Sequence, residues 1–363
     1  LPPAIDLGAD LETVLGADEF SGIDSAEFTL SLSSVLERTA KRAGREAVAT
    51  SSLGSLATER DAKRLDLLAE VARRYLAVIA ARQRVSIAAD EIALRERVVA
   101  AATARISEGA SPVSVRQISE AQATRARIDR ARAEADLQIA WQDLAVLWGG
   151  AGEAAVPELA GNVLALPEVE SLRTLLAQLD ATPALRRLND AARLRQAELQ
   201  LARAESDPDL LWRVGVRRVE ADDDWALVAG AAVPFGASRR AEPAIRAARA
   251  SLDALDTERA GVRLDLESTL IRAHGRYTAA RAECTSLSDA LLPSLEAAAS
   301  AAERAYRAGA ASYLEWTDVL SEITAVRLAR LETAVEAHLA LIEIQRLTGD
   351  SLVVASEAKE TAQ

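Results

Sequence analysis

Residues able to do chemistry are few and scattered along this 363-residue chain. The two histidines, His274 and His338, lie 64 residues apart on different helical stretches, and neither has a second ligand at metal-site spacing. Cys284 stands alone, so it cannot form an intramolecular disulfide, and no histidine pattern accompanies it to activate a thiolate. Asp222, Asp223 and Asp224 gather three carboxylates in a turn, where a solvated loop and a cation site are the competing readings. There is no phosphate-cradling glycine loop, no nucleophile elbow and no acid and base paired in a catalytic context. The reading is of a protein that is not an enzyme, with no cofactor and no resident metal.

Composition narrows the classes further. Lys and Arg total 43 against 55 Asp and Glu, a net charge of −12, and no basic stripe stands clear of neighbouring acids. A nucleic-acid partner is therefore not expected. Acidity serves solubility, or alternatively a pathway for cations. Half the residues are hydrophobic but only 3% are aromatic, and alanine fills most helical positions. Small side chains of this kind suit closely packed long helices better than one thick core. No run reaches the eighteen apolar residues of a transmembrane helix, so a membrane role would have to use strands.

The elements that carry these residues occur twice. ARISEGASPVSV turns at Gly109 and AERAYRAGAASYLEW turns at Gly309; the stretches ending DLAVLWGG and EIQRLTG stop at Gly149 and Gly349. Both landmarks recur at a spacing of 200 residues, which marks a duplicated unit. The first repeat is expected over 1–150, with a strand hairpin at 4–36, a long helix at 38–107 and a return helix at 113–148. A connector at 151–168 leads to the second repeat at 169–349: helix 169–205, hairpin 209–235, long helix 237–308 and return helix 313–348. A tail follows at 350–363.

Residues 5–12 alternate Ile5, Leu7, Ala9 and Leu11 against Asp6, Gly8, Asp10 and Glu12, the period-two pattern of a strand with one wet face. Phe28, Leu30 and Leu32 alternate likewise with Glu27, Thr29 and Ser31, and Leu210, Trp212, Val214 and Val216 with Arg213, Gly215 and Arg217. The long helices would be rods of about 100 Å at 1.5 Å per residue. Pro293 should bend the second, since it lacks an N–H and clashes with the preceding turn. A break is expected near Thr182-Pro183, and Leu328, Leu331, Val335, Leu339 and Ile342 form an apolar seam on the last helix. The second repeat has a helix before its hairpin whereas the first starts at its hairpin, so a helix corresponding to 169–205 is expected to precede Leu1.

AYRAGAASYLEW at 305–316, AHLALIEIQRLTG at 337–349, ARISEGASPVSVRQISEAQ at 104–122, DLAVLWGG at 143–150 and VPFGASRR at 233–240 resemble the TolC family of outer-membrane efflux channels, and within it the heavy-metal CzcC type. The resemblance implies a mainly α fold with a small β part: long antiparallel coiled-coil helices in tandem repeats, and a homotrimer sharing a twelve-stranded β-barrel above a periplasmic α-barrel. It also implies a periplasmic adaptor (membrane-fusion) protein and an inner-membrane RND-class transporter as partners. The lipid bilayer of the bacterial outer membrane would surround the strands, and the helices would extend into the periplasm.

Carried over by position, the helical turns would form the periplasmic tip, with Ile106, Gly109, Ser111, Val115, Tyr306, Gly309, Ser312, Leu314 and Glu315 as adaptor-contact candidates. Phe28, Trp212 and Trp225 are candidate interface aromatics, with ordinary packing as the alternative. Asp6, Asp10, Glu12, Arg213 and Arg217 are candidate lumen residues, with solubility of an edge strand as the alternative. The leading function is a passive exit duct for heavy-metal cations, gated at the turns. A duct for drugs or for type I protein secretion stands as one alternative, and a soluble periplasmic coiled-coil adaptor or scaffold as another.

Overall fold

A computed structural model describes residues 4–12, 26–150, 156–220 and 224–350. They form a mainly helical chain with one four-stranded antiparallel sheet. The chain divides into two compact units, each drawn from separated parts of the sequence. The first comprises 1–60 with 186–261, the second 61–185 with 262–363.

The sheet belongs to the first unit. Its strands are β1 (Ile5–Glu12), β2 (Glu27–Leu36), β3 (Leu210–Val219) and β4 (Asp224–Ala232), ordered β1-β2-β3-β4 with every neighbour antiparallel. The register sets Leu7 opposite Leu32 and Leu32 opposite Val214, while Asp10 faces Thr29 and Thr29 faces Arg217. Opposed residues share a face, so this register collects the apolar alternation of all four strands on one side and the polar alternation on the other. Gly215 sits where an added Cβ would lie 2.7 Å from the Leu30 carbonyl oxygen, so glycine allows β2 and β3 their close approach there.

Helix α1 runs unbroken from Thr39 to Ser107, including the serine-rich stretch at 51–55. At Gly44 it lies so close to Leu201 that an added Cβ would be 3.2 Å from that residue's Cα. Helix α2 (Val113–Ala145) continues into a 3₁₀ turn at Val146–Trp148 and stops at Gly149, which is left-handed at φ 78°. The expected helix at 169–205 is two helices. Ser171 caps α3 (Leu172–Gln178) by accepting from Thr174 N, a short 3₁₀ turn follows, and α4 (Pro183–Ala204) restarts after extended Thr182. The residue before proline avoids the helical region, which places the break where the Thr182-Pro183 pair predicts it.

Helix α5 (Ala237–Ser286) passes through a π-helical turn at Leu287–Leu291 into α6 (Leu292–Ala308). Pro293 then falls in the first turn of α6, and the wider π turn absorbs the missing donor and the ring where a regular α-helix could not. Helix α7 (Tyr313–Thr348) ends at left-handed Gly349.

In the second unit α7 is buried along most of its length. Leu76, Ile79 and Ile87 of α1 pack with Leu331, Ala334 and Ile342 of α7, while Leu175, Leu179, Leu270 and Tyr277 pack around Ala337, Leu341 and Ile344. The apolar seam differs from the one expected. Leu331 and Ile342 are core residues and Leu328 and Val335 pack beside them, but Leu339 is exposed and Ala337 and His338 take the buried positions. Alanines let the helices approach closely, so the buried stripe follows small side chains rather than the largest ones.

Residues 156–171 cross this unit as a non-helical strap whose carbonyls are held by side chains. Tyr75 donates to the Ala160 carbonyl at 2.6 Å, Arg82 to Leu159 at 3.2 Å and also to Pro157, His338 Nε2 to Val163 at 3.0 Å, and Tyr277 to Pro167. This is how a loop packed onto a core satisfies a backbone that has no helix or ladder to join.

Candidate functional site

Two surfaces gather the residues singled out by sequence, one in each unit. The first is the sheet. Phe28, Trp212 and Trp225 lie on its apolar face with Ile5, Leu7, Leu11, Leu30, Leu32, Leu36, Val214, Val216 and Leu227. Most of these side chains are not covered within the chain: Leu227 is 78% exposed and Trp225 67%, while Trp212 is half-buried. A large apolar side chain left in water forgoes about 1.5–3 kcal/mol of burial, so a whole face of them requires a non-aqueous neighbour.

The aromatics stand at two levels. The register aligns Phe28, Arg218 and Trp225 in one row, and Ser34, Trp212 and Ala231 in another. Six residues of β3 separate the rows, about 20 Å at roughly 3.3 Å per residue, which is close to the height of the apolar band on an outer-membrane barrel. Among the described residues Arg218 is the single charge on this face; its guanidinium carbon lies 5.8 Å from the Trp225 ring centre, and its Nε pairs with Glu220 at 3.0 Å. It thereby reaches past the end of the sheet while its stem covers apolar surface.

Asp6, Asp10, Glu12, Arg213 and Arg217 all lie on the opposite face. Arg217 is the hub: it pairs with Glu27 at 2.6 Å and Glu12 at 3.6 Å, and its Nε donates to Thr29 Oγ1 at 3.0 Å. Arg213 lies 4.0 Å from Asp10. This wall is polar and net acidic: Arg213 and Arg217 on β3 answer only part of the charge of Asp6, Asp10, Glu12, Glu27 and Asp224. The outer edges of β1 and β4 pair with no strand of this chain among the described residues.

The second surface is the pair of helical turns in the second unit. Gly109 and Gly309 take φ of 71° and 78°, a region that costs an L side chain about 1–2 kcal/mol. Both turns close the same way: Ala110 N donates to the Arg105 carbonyl and Ala310 N to the Ala305 carbonyl, each at 2.8 Å. The restarts differ. Pro112 precedes α2 with no side-chain cap, whereas Ser312 and Glu315 make a reciprocal capping box, Ser312 Oγ accepting from Glu315 N at 3.2 Å and Glu315 Oε2 from Ser312 N at 2.8 Å.

Ile106, Ser111 and Val115 are half-buried, and Ser312, Leu314 and Glu315 are exposed. Tyr306 is not a surface residue: at 1% exposure it packs on Trp316, ring centres 5.3 Å apart, and on Tyr313 at 6.4 Å. Its place is inside the tip, organising the residues around it.

Sequence reasoning missed the residues that tie the turns together. Arg105 donates to the Tyr306 carbonyl at 2.8 Å and to the Ala110 carbonyl at 3.1 Å, and lies 4.7 Å from the Tyr306 ring centre. A cation in the last turn of a helix was the available signal. Deeper in the unit, Arg95 pairs with Glu91 at 2.5 Å and donates to Gln122 Oε1 at 3.2 Å and Ser321 Oγ at 3.0 Å; Tyr313 donates to the same Gln122 oxygen at 3.1 Å. That network joins α1, α2 and α7.

The residues with catalytic side chains stay apart. His338 is buried against Val163, and desolvation pushes its pKa below the ordinary value. His274 lies on α5. Cys284 is buried, and desolvation pushes its thiol pKa up, away from a reactive thiolate. Among the described residues no three His, Cys, Asp or Glu side chains converge as a metal site, and no helix is long and apolar enough to cross a membrane. Asp222 and Asp223 lie outside the described residues.

A sheet apolar on one face and polar on the other, carried with long paired helices, is shared with proteins of the outer-membrane efflux class. Residues 1–150 match the family model described as outer membrane efflux protein. The cobalt-zinc-cadmium resistance protein CzcC of Cupriavidus metallidurans is 27% identical over 292 residues, covering 78% of this chain and 68% of that one. The chain also has the fold of solved outer-membrane channels. A structure of CusC superposes with a TM-score of 0.75 at 17% identity, covering 96% of this chain and 83% of that one. The open-state MtrE channel of Neisseria gonorrhoeae superposes at 0.72 with 18% identity, covering 98% and 82%. The resemblance to TolC-family proteins of the CzcC type thus holds in sequence and in fold, and the proteins matched are outer-membrane efflux and metal-resistance proteins.

Proposed function

We propose that this chain is the outer-membrane exit duct of a tripartite pump for heavy-metal cations, and that it works as a homotrimer. Three copies would pair β4 of each with β1 of the next, closing twelve strands into a barrel with no free edge. The apolar face would meet lipid and the face carrying Asp6, Asp10, Glu12, Arg213 and Arg217 would line the lumen. The observation that carries this reading is the two-faced sheet with aromatic rows about 20 Å apart. Its two open edges fit the same account.

The helical tip would be both the gate and the surface for a periplasmic adaptor, with an inner-membrane RND-class transporter supplying the energy. Metal is cargo here, and the duct itself is passive. The cation assignment rests on the likeness to CzcC, a cobalt-zinc-cadmium resistance protein by name.

Two measurements test the proposal in sequence. Light scattering of the purified protein, corrected for bound detergent, should give a protein mass near three chains. A monodisperse monomer that stays soluble without detergent overturns the barrel. Deleting the gene should then sensitise cells to zinc, cobalt or cadmium; unchanged metal tolerance with new sensitivity to drugs would assign a different cargo.

A further inference from the structure

The helix-side end of the sheet carries arginines that, among the described residues, have no ion pair. Leu36 faces Leu210 and Leu211 faces Ala232, so β2 and β4 finish at one level, two strand spacings or about 10 Å apart. Helices α1 and α5 start just beyond, and neither has an acid in its first turn. Both instead open with cations, Lys41 and Arg42 on α1, Arg239 and Arg240 on α5. A helix N-terminus repels positive charge, so this placement works against the helices themselves.

Neighbouring acids are already engaged. Asp209 pairs with buried Lys41 at 2.7 Å, Asp207 lies 3.9 Å from Arg38, and Glu37 binds Arg45. Among the described residues, exposed Arg42 and Arg239 have no ion pair, although Glu46 and Glu242 lie one turn along the same helices. The guanidinium of exposed Arg240 donates to the Phe235 carbonyl at 3.1 Å and, among the described residues, has no ion pair. Phe235 is itself 92% exposed, in the turn three residues beyond the end of β4. A bare aromatic just past the end of an apolar-faced strand, followed within a helical turn by guanidinium groups free of ion pairs, is the pattern suited to the boundary between acyl chains and headgroup phosphates.

We infer that Arg42, Arg239 and Arg240, with Phe235, bind the phosphates of anionic phospholipid in the leaflet facing the helices. This rests on the outer-membrane channel reading and adds a lipid class to it. The arginines form charge-assisted hydrogen bonds to phosphate, and the net negative headgroup supplies the charge complement that neutral lipid lacks.

The test uses the full-length trimer in bilayers of phosphatidylcholine containing phosphatidylglycerol, with retained lipids counted by native mass spectrometry. Wild type should retain phosphatidylglycerol above its bulk fraction, and the preference should weaken in high salt. Each arginine replaced by glutamine should lower the preference about fivefold at most, and R42Q/R239Q/R240Q should abolish it while trimer mass and far-UV circular dichroism stay unchanged. If the triple variant does not fold, Arg239→Gln and Arg239→Lys decide, the first losing preference and the second keeping most of it. Equal retention of both lipids by wild type, or an undiminished preference in the variants, overturns the inference. Failure of wild type to float with any liposome overturns the channel reading itself, before any lipid is counted.

Discussion

Arg105 and Tyr306 connect the two helical turns: the arginine donates to the tyrosine carbonyl at 2.8 Å while its guanidinium carbon lies 4.7 Å from the centre of the same ring. One side chain thus satisfies a carbonyl at the end of α6, a carbonyl just after α1 and the face of a buried aromatic. Arg105→Ala should cost about 1.5–3 kcal/mol locally, the range for hydrogen bonds to charged groups. Amide exchange should accelerate at 305–312 and 106–112 together. Acceleration in only one turn would show that Arg105 does not couple them. Arg105→Lys keeps the charge at the helix terminus but lacks the fork that reaches two carbonyls, so it should fall between.

Arg95 is 8% exposed and its partner Glu91 is also mostly buried, so removing the cation strands a carboxylate inside α1, α2 and α7. Arg95→Met should destabilise the chain by about 3–5 kcal/mol. Adding Glu91→Leu should recover much of that loss, because an apolar pair needs no hydrogen-bond partners. Denaturant unfolding followed by far-UV circular dichroism checks both. A double variant no better than the single would mean that packing, and not stranded charge, sets the cost.

His338 makes the strap sensitive to pH. Desolvation holds its pKa below the ordinary 6.5, although the bond to the Val163 carbonyl pulls the other way. The unfolded chain therefore takes up a proton below about 6.5 that the folded chain refuses. This contribution to stability is present above that pH and is lost as pH falls toward the folded value. The thermal midpoint should decline with acidification through this window, and His338→Gln should flatten that part of the curve. A wild-type curve no steeper than the variant's would remove His338 from the account.

Much of this architecture was legible, and what was not has a physical pattern. Gly109, Gly149, Gly309 and Gly349 all sit at positive φ, where the residue type is dictated locally, so their spacing could be read directly. The alternation in the strands assigned the faces of Asp10, Arg217, Phe28 and Trp212 for the same reason. Leu339 misled because an alanine-rich helix has little contrast around its circumference, and Ala337 is as good a buried residue as leucine where helices touch. Pro293 announced a missing donor but not the π turn that absorbs it. Arg105, Arg95 and the pairing of β2 with β3 depend on partners far along the chain, which no local period encodes.

Arg217 offers the cleanest separation of the two faces of the sheet. It holds Glu27 at 2.6 Å and Glu12 at 3.6 Å on the polar face, whereas Arg218, one residue on, projects from the apolar face beside Trp225. If the polar face lines the conduit, Arg217→Gln leaves acids on that wall without their cation, in every copy around the lumen. Uncompensated negative charge in a narrow water-filled passage raises the local concentration of cations. Single-channel reversal potentials in a KCl gradient should then move toward the potassium limit. Arg218→Gln removes the same charge from the opposite face, where headgroups and not permeating ions would be its neighbours, and should leave selectivity unchanged. The reverse result, with Arg218 governing selectivity and Arg217 silent, would turn the sheet inside out and end the assignment of Asp10, Glu12 and Arg213 to the lumen.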